Sequence, residues 1–382
     1  MDMNGKTYDF LIVGAGLYGS VMARELTDRG FSVLVAERRS HIGGNAYTEE
    51  RAGIIVHRYG PHIFHTDNEE VWRYVNRFAD FIGFINRPAA VYKGEIYSLP
   101  FNMKTFEKMW GVTDPGEARR IIQSQSASAC PEGTEPRNLE EQAISMVGTD
   151  IYERLVKGYS EKQWGRKCSE LPAYYIKRLP LRFSYDDNYY DDKYQGIPEG
   201  GYTPMIGKLL SGIKVITDTD FLDPDNRDRL GKLAAKIIFS GPIDAYYEYC
   251  YGKLDYRSVR FEEEKIEGVR YYQDRAVINY TDQLIPYTRV TEHKRFVPDA
   301  ETTLKDYTII TKEYPQAHTE ENEAFYPVTD EKNRSLIARY RKLADADESV
   351  HFGGRLGCFR YYDMDDVIAE ALADAVLLTE KK

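Results

Sequence analysis

The sequence contains few cysteines, and they lie far apart. The 382 residues include four, at Cys130, Cys168, Cys250 and Cys358, and no two of them form a C-x-x-C pair. Zinc sites and disulfide frameworks normally show closely spaced cysteines. We therefore predict neither feature, no bound metal, and reduced thiols of the kind found in the cytoplasm.

Long apolar stretches and an excess of positive charge are also missing. No apolar run approaches the roughly 20 residues that span a bilayer, and the first residues, MDMNGKTYDF, lack the pattern of a signal peptide. The 51 basic and 61 acidic residues give a formal charge of -10 without long blocks of one sign. This balance provides no electrostatic footprint for nucleic acid or an anionic membrane, so an anionic ligand would have to be held by local arginines.

The clearest pattern near the N-terminus is a strand, a helix and a second strand with glycines at the first turn. Residues 10–13 and 31–36 are apolar enough for buried parallel strands, and residues 20–29 have a helical pattern. The first turn contains Gly14, Gly16 and Gly19. Such glycines allow a tight turn, close approach of the backbone to a pyrophosphate, and close helix packing. Glu37 follows the second strand, where a carboxylate can accept hydrogen bonds from a ribose, so we predict dinucleotide binding.

A second glycine pair helps to choose the dinucleotide. The segment ERRSHIGGNAYT adds Gly43 and Gly44 just after Glu37. This segment resembles the extended fingerprint of FAD proteins related to amine oxidases, in which a second glycine pair approaches the dinucleotide. We therefore expect FAD rather than NAD, with Gly44 and its neighbours Arg38 and Asn45 at the cofactor. The alternative is that the glycine pair marks only a turn.

The rest of the chain predicts an α/β protein with three parts. Buried strand patterns return in KVITDTDF, KIIFSGPID and SVHFGGRL, so the first domain is expected to be discontinuous. Helical periodicity dominates the middle of the chain, and β-rich runs follow it. The predicted architecture is a discontinuous Rossmann-like FAD-binding domain (1–77, 207–250 and 345–382), a helical insertion domain (98–180) and an antiparallel β-sheet domain (78–97, 181–206 and 251–344).

Eight motifs together resemble the prokaryotic UDP-galactopyranose mutase family along essentially the whole chain. They are GAGLYG, ERRSHIGGNAY, YGPHIFHT, YSEKQWG, IKRLPLRFSYDDNYY, PYTRVTEH, FYPV and GRLGCFRYYDMD. The resemblance implies a flavin-dependent isomerase that interconverts UDP-galactopyranose and UDP-galactofuranose and supplies cell-wall polysaccharide biosynthesis. It also implies that N5 of reduced FAD attacks the anomeric carbon with UDP as the leaving group, so that no net electrons are transferred. A homodimer is common in the family and is expected here.

The same resemblance assigns roles to residues in the matching motifs. Catalytic roles fall on Arg178, Arg289, His62 and His65. Substrate-binding roles fall on Tyr159, Trp164, Arg178, Tyr189, Arg289, Tyr326 and Tyr361. Besides the glycine turns and Glu37, the cofactor is expected to contact Arg257, Arg355, Tyr362 and Asp363. Which of the two histidines contacts the flavin stays open at this point.

The two catalytic arginines distinguish this function from its alternatives. Arg178, on the loop that carries Trp164, and Arg289 are expected to face each other across the diphosphate, because a guanidinium can donate two parallel hydrogen bonds to phosphate oxygens. The first alternative is an amine-oxidase-like FAD oxidoreductase with net hydride transfer, but an amine substrate gives no reason for such a pair. The second is a non-catalytic dinucleotide-binding regulator, which would bind nucleotide without turning over a sugar.

Overall fold

The computed structural model describes residues 7–127, 129, 135–176, 181–297 and 304–380. Its strands are β1 (Tyr8–Val13), β2 (Val33–Ala36), β3 (Thr48–Arg51), β4 (Ile54–His57), β5 (Phe64–Thr66), β6 (Phe81–Ile82), β7 (Ala89–Tyr92), β8 (Glu95–Ser98), β9 (Tyr194–Pro198), β10 (Lys214–Ile216), β11 (Ala234–Phe239), β12 (Tyr256–Glu267), β13 (Val277–Tyr280), β14 (Arg289–Glu292), β15 (Tyr307–Ala317), β16 (Tyr326–Pro327) and β17 (Val350–Phe352). Its helices are α1 (Leu17–Asp28), α2 (Glu69–Val75), α3 (Met103–Trp110), α4 (Pro115–Ser126), α5 (Leu139–Val147), α6 (Thr149–Ile151), α7 (Lys157–Trp164), α8 (Tyr202–Leu209), α9 (Pro224–Gly231), α10 (Ile243–Tyr246), α11 (Glu331–Ala346), α12 (Gly354–Gly357) and α13 (Met364–Glu380). Cys130 and Arg178 lie outside the described residues. Within the described ranges, no helix combines the length and the apolar character needed to cross a membrane.

Five parallel strands in the order β10-β2-β1-β11-β17 form the first sheet. Residues 10–13 of β1 pair with residues 33–36 of β2, which confirms the predicted strand-helix-strand unit. The strand β2, VLVA, is buried along its whole length, as expected for a parallel strand covered on both faces. β11 and β17 join β1 from distant parts of the chain, so the sheet is discontinuous in sequence as predicted.

Helices α1, α8 and α13 pack together over this sheet in one apolar cluster. Met22 of α1, Ile206 of α8 and Ala371 of α13 are fully buried in the cluster. Tyr202, the first residue of α8, is also fully buried there. The predicted boundary at residue 207 falls inside α8, and the first residue of this helix already packs with the parallel sheet.

A second sheet has seven strands in the order β16-β12-β15-β14-β13-β7-β8. Its neighbouring strands are antiparallel except β13 and β7, which run parallel. The predicted sheet domain also included the residues of β6 and β9, but these strands form a separate three-stranded sheet with β5. The difference arises because β9 pairs with β5 and β6 on its two edges, which leaves it no edge for the larger sheet.

The helices α3 to α7 lie in sequence between β8 and β9, and the last of them approaches the seven-stranded sheet. A π-helical segment, Tyr152–Val156, leads directly into α7, and such segments are frequent at functional sites. A Cβ added at Gly158 of α7 would lie 2.1 Å from the backbone oxygen of Thr281. The absence of a side chain at Gly158 therefore lets α7 contact the connection 281–288 between β13 and β14.

Gly158→Ala tests this close contact. We expect the substitution to lower the free energy of unfolding by about 1 to 3 kcal/mol, because the added methyl overlaps the Thr281 carbonyl. The change in the urea midpoint measures the loss. Gly231→Ala is the matched control, since a Cβ at Gly231 in α9 meets nothing within 4 Å. Equal stability of Gly158→Ala and the natural protein would contradict the contact.

Candidate functional site

A cavity lies at the carboxyl ends of β1, β2 and β11, the place where open parallel sheets bind ligands. Its walls come from the turns after these strands and from the start of α13. Nine residues predicted to contact the cofactor line it: Gly14, Gly16, Gly19, Glu37, Arg38, Gly44, Asn45, Arg355 and Asp363. His62 lines it as well. The fold therefore gathers residues from both ends of the chain around one space.

The glycine turns expose backbone rather than side chains to this cavity. Gly14 has a φ of +105°, which favours glycine, and a Cβ there would lie 2.2 Å from Oγ of Ser240. A Cβ on Gly44 would lie 2.9 Å from Cα of Gly16, so the two predicted glycine turns contact each other. This arrangement lets an anionic group approach the backbone amides at the start of α1.

Glu37 ties the end of β2 to the first glycine turn. Its side chain is buried, Oε2 accepts a hydrogen bond from the Ala15 amide at 2.7 Å, and Oε1 accepts one from the Arg39 amide at 2.9 Å. A carboxylate has about four lone-pair sites, so both oxygens can accept further hydrogen bonds. Glu37 is therefore oriented by the backbone and still suited to bind ribose hydroxyls.

His62 faces the same cavity. Its Nδ1 lies 2.8 Å from the Gly60 carbonyl oxygen, which can only accept, so Nδ1 carries the proton of the neutral ring. Burial lowers the pKa of His62 to about 4; the Gly60 hydrogen bond opposes this shift, and the charges of Arg355 and Arg289 add to it. His62 is thus neutral at pH 7 and offers Nε2 as a hydrogen-bond acceptor.

Two buried histidines support the His62 segment. The His62 amide donates to Nδ1 of His57 at 3.1 Å, and the His57 amide donates to Nδ1 of His293 at 3.3 Å. Nε2 of His293 lies 2.7 Å from Oγ1 of Thr311. Burial lowers the pKa of His57 and brings the pKa of His293 to about 3. Both rings are therefore neutral, as the hydrogen bonds they accept require.

Arg289 begins β14, and its guanidinium is held on three sides. Nη2 donates to the hydroxyl of Tyr159 at 2.9 Å, and Nε donates to Oδ1 of Asn279 at 3.2 Å. Nη1 lies 3.4 Å from Oε2 of Glu313. Although burial opposes the charge, Glu313 and Tyr159 raise the pKa of Arg289. These four residues, the Arg289 cluster, present a permanent and oriented cation.

Tyrosines connect the Arg289 cluster with the cavity. The rings of Tyr326 and Tyr361 stack with centroids 5.7 Å apart. The guanidinium of Arg355, which lines the cavity, lies 5.6 Å from the Tyr326 ring centre and 5.5 Å from that of Tyr361. Burial raises the pKa of Tyr189 and Tyr326, so their hydroxyls stay protonated and can donate hydrogen bonds. Tyr326 and Tyr361 are also close enough to Arg289 to raise its pKa, so the cavity and the cluster adjoin.

Two residues predicted to contact the cofactor, Arg257 and Tyr362, are not among those that line this cavity. Arg257 donates through Nε to the Gln163 carbonyl at 2.8 Å, so it binds the carboxyl end of α7. The physical reason is that the last carbonyl groups of a helix lack intrahelical partners and attract cations. The Tyr362 hydroxyl donates to Oε1 of Glu370 at 2.6 Å, which ties it to α13. Contact of Arg257 and Tyr362 with the cofactor stays a prediction.

His65 and Trp164 lie in separate aromatic contacts. His65 is on β5, its ring stacks on Tyr190 with centroids 3.7 Å apart, and Nδ1 lies 3.2 Å from Oδ2 of Asp192. Trp164 ends α7, and its ring centroid lies 4.4 Å from that of Tyr175. The structure therefore separates His65 from His62 and places Trp164 and Tyr159 on one helix.

Sequence reasoning missed the partners of Arg289. Asn279 and Glu313 stand directly opposite Arg289 on the two neighbouring strands. The one signal in the sequence is an acidic residue, Glu313, inside the strand-like run YTIITKEYP. In the structure Glu313 is only 5% exposed. That signal marks a buried carboxylate but does not identify its partner.

Comparison with known proteins places the chain in a family. The sequence profile of UDP-galactopyranose mutase matches residues 154–361, more than half of the chain, and a profile of NAD(P)-binding Rossmann-like domains matches residues 12–78. The chain belongs to the UDP-galactopyranose mutase family. The matched range includes α7, the Arg289 cluster, Tyr326 and Tyr361, so the family assignment and the candidate substrate site coincide.

Individual relatives match over nearly the whole chain. A probable UDP-galactopyranose mutase of Klebsiella pneumoniae is 43% identical over 98% of this chain and 94% of its own. A dTDP-fucopyranose mutase of Escherichia coli is 40% identical over 96% of this chain and 97% of its own. A UDP-galactopyranose mutase of Mycoplasma pneumoniae is 30% identical over 99% and 98%, respectively.

Solved structures support the same fold. The crystal structure of reduced UDP-galactopyranose mutase superposes with a TM-score of 0.74 at 15% identity, covering 98% of this chain and 96% of that chain. This likeness confirms the predicted mixed α/β architecture with a Rossmann-like domain and an antiparallel sheet. In the part of this chain that the structure describes, no three His, Cys, Asp or Glu side chains are grouped as a metal site.

The neutral histidines predict a loss of stability in acid. In the unfolded chain histidine titrates near 6.5, whereas the folded protein holds the pKa of His293 at about 3. Because only the unfolded state binds this proton between these values, the stabilisation is complete above pH 6.5 and is lost as the pH falls toward 3. We expect a loss of about 1.4 kcal/mol per pH unit from each such histidine, measured by urea denaturation.

His293→Asn tests the source of this acid sensitivity. The Asn amide oxygen can accept the hydrogen bond from the His57 amide, but Asn does not titrate. The loss of unfolding free energy below pH 6.5 should therefore become smaller by the contribution of one histidine, about 1.4 kcal/mol per pH unit. Thr311→Val is the matched control, because it removes the partner of Nε2 and keeps the titrating ring. An unchanged decline in His293→Asn would contradict this origin.

Proposed function

We propose that the protein is a flavin-dependent isomerase that interconverts UDP-galactopyranose and UDP-galactofuranose. The observation that carries the proposal is that the Arg289 cluster adjoins a dinucleotide cavity, with Arg355 lining the cavity and contacting the tyrosines beside Arg289. A cofactor in the cavity and a diphosphate at Arg289 would be neighbours. A sugar attached to that diphosphate would then lie between them.

The cavity fits FAD as its cofactor. The glycine turns leave room for a pyrophosphate at the start of α1, a space that a Cβ at Gly44 would narrow, and Glu37 is placed to accept ribose hydroxyls. Arg38, Asn45, Arg355 and Asp363 line the remaining walls. When bound in its reduced form, FAD supplies a nucleophile, N5, for the anomeric carbon of the sugar. Binding is proposed to be noncovalent.

Arg289 is proposed to bind the diphosphate and to stabilise the departing UDP. Its contacts with Tyr159, Asn279 and Glu313 use three of the five N–H donors of a guanidinium, which leaves donors for phosphate oxygens. These contacts also orient the planar group before substrate binds. An interaction that strengthens as negative charge develops on UDP accelerates the reaction. Arg178, outside the described residues, is proposed on the family resemblance to approach the diphosphate from the opposite side.

Aromatic residues are proposed to complete substrate binding. Tyr189, Tyr326 and Tyr361 can donate their hydroxyl hydrogens to the diphosphate, and burial keeps the first two protonated. Tyr159 and Trp164, both on α7, are proposed to lie against the uracil and the sugar. The hydrogen bond from Arg289 to the Tyr159 hydroxyl supports the assignment of Tyr159.

His62 is the better placed of the two predicted catalytic histidines. It lines the cavity with Nε2 as an acceptor, whereas His65 stacks on Tyr190 and pairs with Asp192. We therefore propose that His62 contacts the cofactor or sugar and that His65 supports the substrate side of the site. Cytoplasmic location, a homodimer and a role in cell-wall polysaccharide biosynthesis are proposed on the family resemblance alone.

A second candidate substrate follows from the relatives. The dTDP-fucopyranose mutase of Escherichia coli is 40% identical to this chain, close to the 43% of the Klebsiella pneumoniae protein. A dTDP-linked 6-deoxyhexose is therefore the alternative substrate. The proposed role of Arg289 is the same for both, because each reaction would release a nucleoside diphosphate.

Incubation of the dithionite-reduced protein with UDP-galactofuranose or dTDP-fucofuranose decides between these functions. We expect a yellow protein that releases FAD on denaturation and isomerises the sugar only when the flavin is reduced. Conversion of UDP-galactofuranose should be faster than that of dTDP-fucofuranose. Chromatography separates the pyranose and furanose forms. Faster conversion of the dTDP-sugar would support the second candidate. One flavin reoxidised per sugar consumed would indicate an oxidoreductase, and nucleotide binding without turnover would indicate a regulator.

Arg289→Ala should lower kcat/KM by about 10- to 100-fold, because a charge-assisted contact worth about 1.5 to 3 kcal/mol is lost. Turnover should fall along with affinity, since charge develops on the leaving UDP. Arg289→Lys should recover little, because one ammonium cannot replace the guanidinium fork. Steady-state kinetics of reduced, FAD-loaded variants measure both constants.

Arg137→Ala serves as the control for this experiment. Arg137 pairs with Glu141 on the exposed surface of the helical part, so its loss removes a cation without touching the site. Its kinetics should match those of the natural protein. Normal turnover and UDP affinity in Arg289→Ala would remove the arginine from the proposed mechanism.

A further inference from the structure

Lys162 lies on α7, and its ammonium group is enclosed by backbone oxygens. Its Nζ lies 2.8 Å from the carbonyl oxygen of Tyr280 and 2.9 Å from those of Asp282, Ile285 and Tyr287. Four carbonyl groups from one short stretch of chain thus converge on a single cation. Burial lowers the pKa of Lys162 to about 8, so the carbonyl groups hold a cation that is partly desolvated.

The chain that surrounds Lys162 leads directly to Arg289. Residues 281–288 connect β13 to β14, and Arg289 is the first residue of β14. Three further contacts join this connection to the helical part. Oγ1 of Thr281 donates to the Arg154 carbonyl at 2.7 Å, Gly158 leaves space for the Thr281 carbonyl, and Nε2 of Gln283 donates to Oε2 of Glu161. Lys162 differs from these contacts in that one ammonium group draws four carbonyl groups together.

Lys162 shares a helix face with Tyr159. Residues three apart on an α-helix are neighbours on its surface, and the Tyr159 hydroxyl accepts the hydrogen bond from Nη2 of Arg289 at 2.9 Å. One side of α7 therefore contacts the connection before β14 through Lys162 and the start of β14 through Tyr159. A displacement of the connection around Lys162 would change the distance between Tyr159 and Arg289.

We propose that Lys162 is a positioning residue that sets the affinity of the site for a nucleoside diphosphate. By gathering the carbonyl groups of residues 280–287, it holds α7 against β14 and keeps Tyr159 in contact with Arg289. Lys162 itself does not contact the substrate in this proposal. The inference rests on the proposed function, because it assumes that Arg289 and Tyr159 bind UDP.

The chain contains a matched control for this lysine. Nζ of Lys294 donates to the carbonyl groups of Arg270, Lys305 and Tyr307 within the sheet part. Lys294 is buried; of its carbonyl partners, Arg270 lies between β12 and β13, Lys305 precedes β15 and Tyr307 begins it. Replacing Lys294 therefore removes a carbonyl-bound ammonium at a site that the proposal does not involve.

The test compares UDP binding by Lys162→Met and Lys294→Met in the FAD-loaded protein, measured by calorimetry. We expect Lys162→Met to raise the Kd for UDP by about 10- to 100-fold, the scale of effect that a misplacement of about 1 Å can produce. Lys294→Met should lower the melting temperature and leave the Kd unchanged. Unchanged UDP affinity in a folded Lys162→Met protein would overturn the proposal, as would an equal loss in both variants.

A double-mutant cycle shows whether Lys162 acts through Tyr159. Tyr159→Phe removes the hydroxyl that Arg289 binds, so adding Lys162→Met to Tyr159→Phe should weaken UDP binding by a smaller factor than in the natural background. The same factor in both backgrounds would contradict positioning through Tyr159. Lys162→Gln, whose amide can donate to two carbonyl groups, replaces Lys162→Met if the latter does not fold and should show an intermediate loss.

The outcome for the natural protein separates this inference from the proposed function. Failure of the natural protein to bind UDP would contradict the proposed function itself. Normal UDP binding by the natural protein together with normal binding by the Lys162 variants would contradict only the positioning role. The expected pattern is a loss of UDP affinity in the variants together with a fall in turnover smaller than that of Arg289→Ala, because Arg289 itself is still present.

Discussion

A partly buried guanidinium needs hydrogen-bond and charge partners, and the candidate substrate site depends on how Arg289 meets this requirement. Its partners Asn279 and Glu313 stand opposite it on the strands at either side. A shift of one strand by a single residue would turn its side chains to the other face of the sheet. The register of β13, β14 and β15 therefore determines where the cation lies and which of its donors remain for a phosphate.

The helix α7 brings the Tyr159 hydroxyl to this cation and is itself held by cations. Arg257 binds the Gln163 carbonyl at its carboxyl end, and Lys162 binds carbonyl groups of the connection before β14. Gly158 allows the backbones to approach. Because α7 belongs to the helical part and Arg289 to the sheet, the candidate substrate site lies where the two parts meet.

The histidines beside the cavity are neutral, in contrast to the charged Arg289. His62 is oriented by Gly60 and by a backbone hydrogen bond to His57, and His57 is supported in turn by His293. Neutral rings avoid adding positive charge next to Arg355 and Arg289. They also make the folded protein sensitive to acid, because protonation would remove the acceptors that hold this segment.

The sequence by itself determined the features that arise from contiguous residues. The strand-helix-strand unit, its glycine turns and Glu37 lie within one short segment, so residue spacing was sufficient to predict the cavity, and the motifs were sufficient to indicate the family. The tertiary structure alone decided the partners of Arg289, which contacts Tyr159 130 positions away and Glu313 24 positions away. It also placed Arg257 at a helix end, packed α8 with the parallel sheet and enclosed Lys162 in carbonyl groups. The physical reason is that strand order, register and the pairing of buried polar groups depend on segments distant in sequence, which no local pattern encodes.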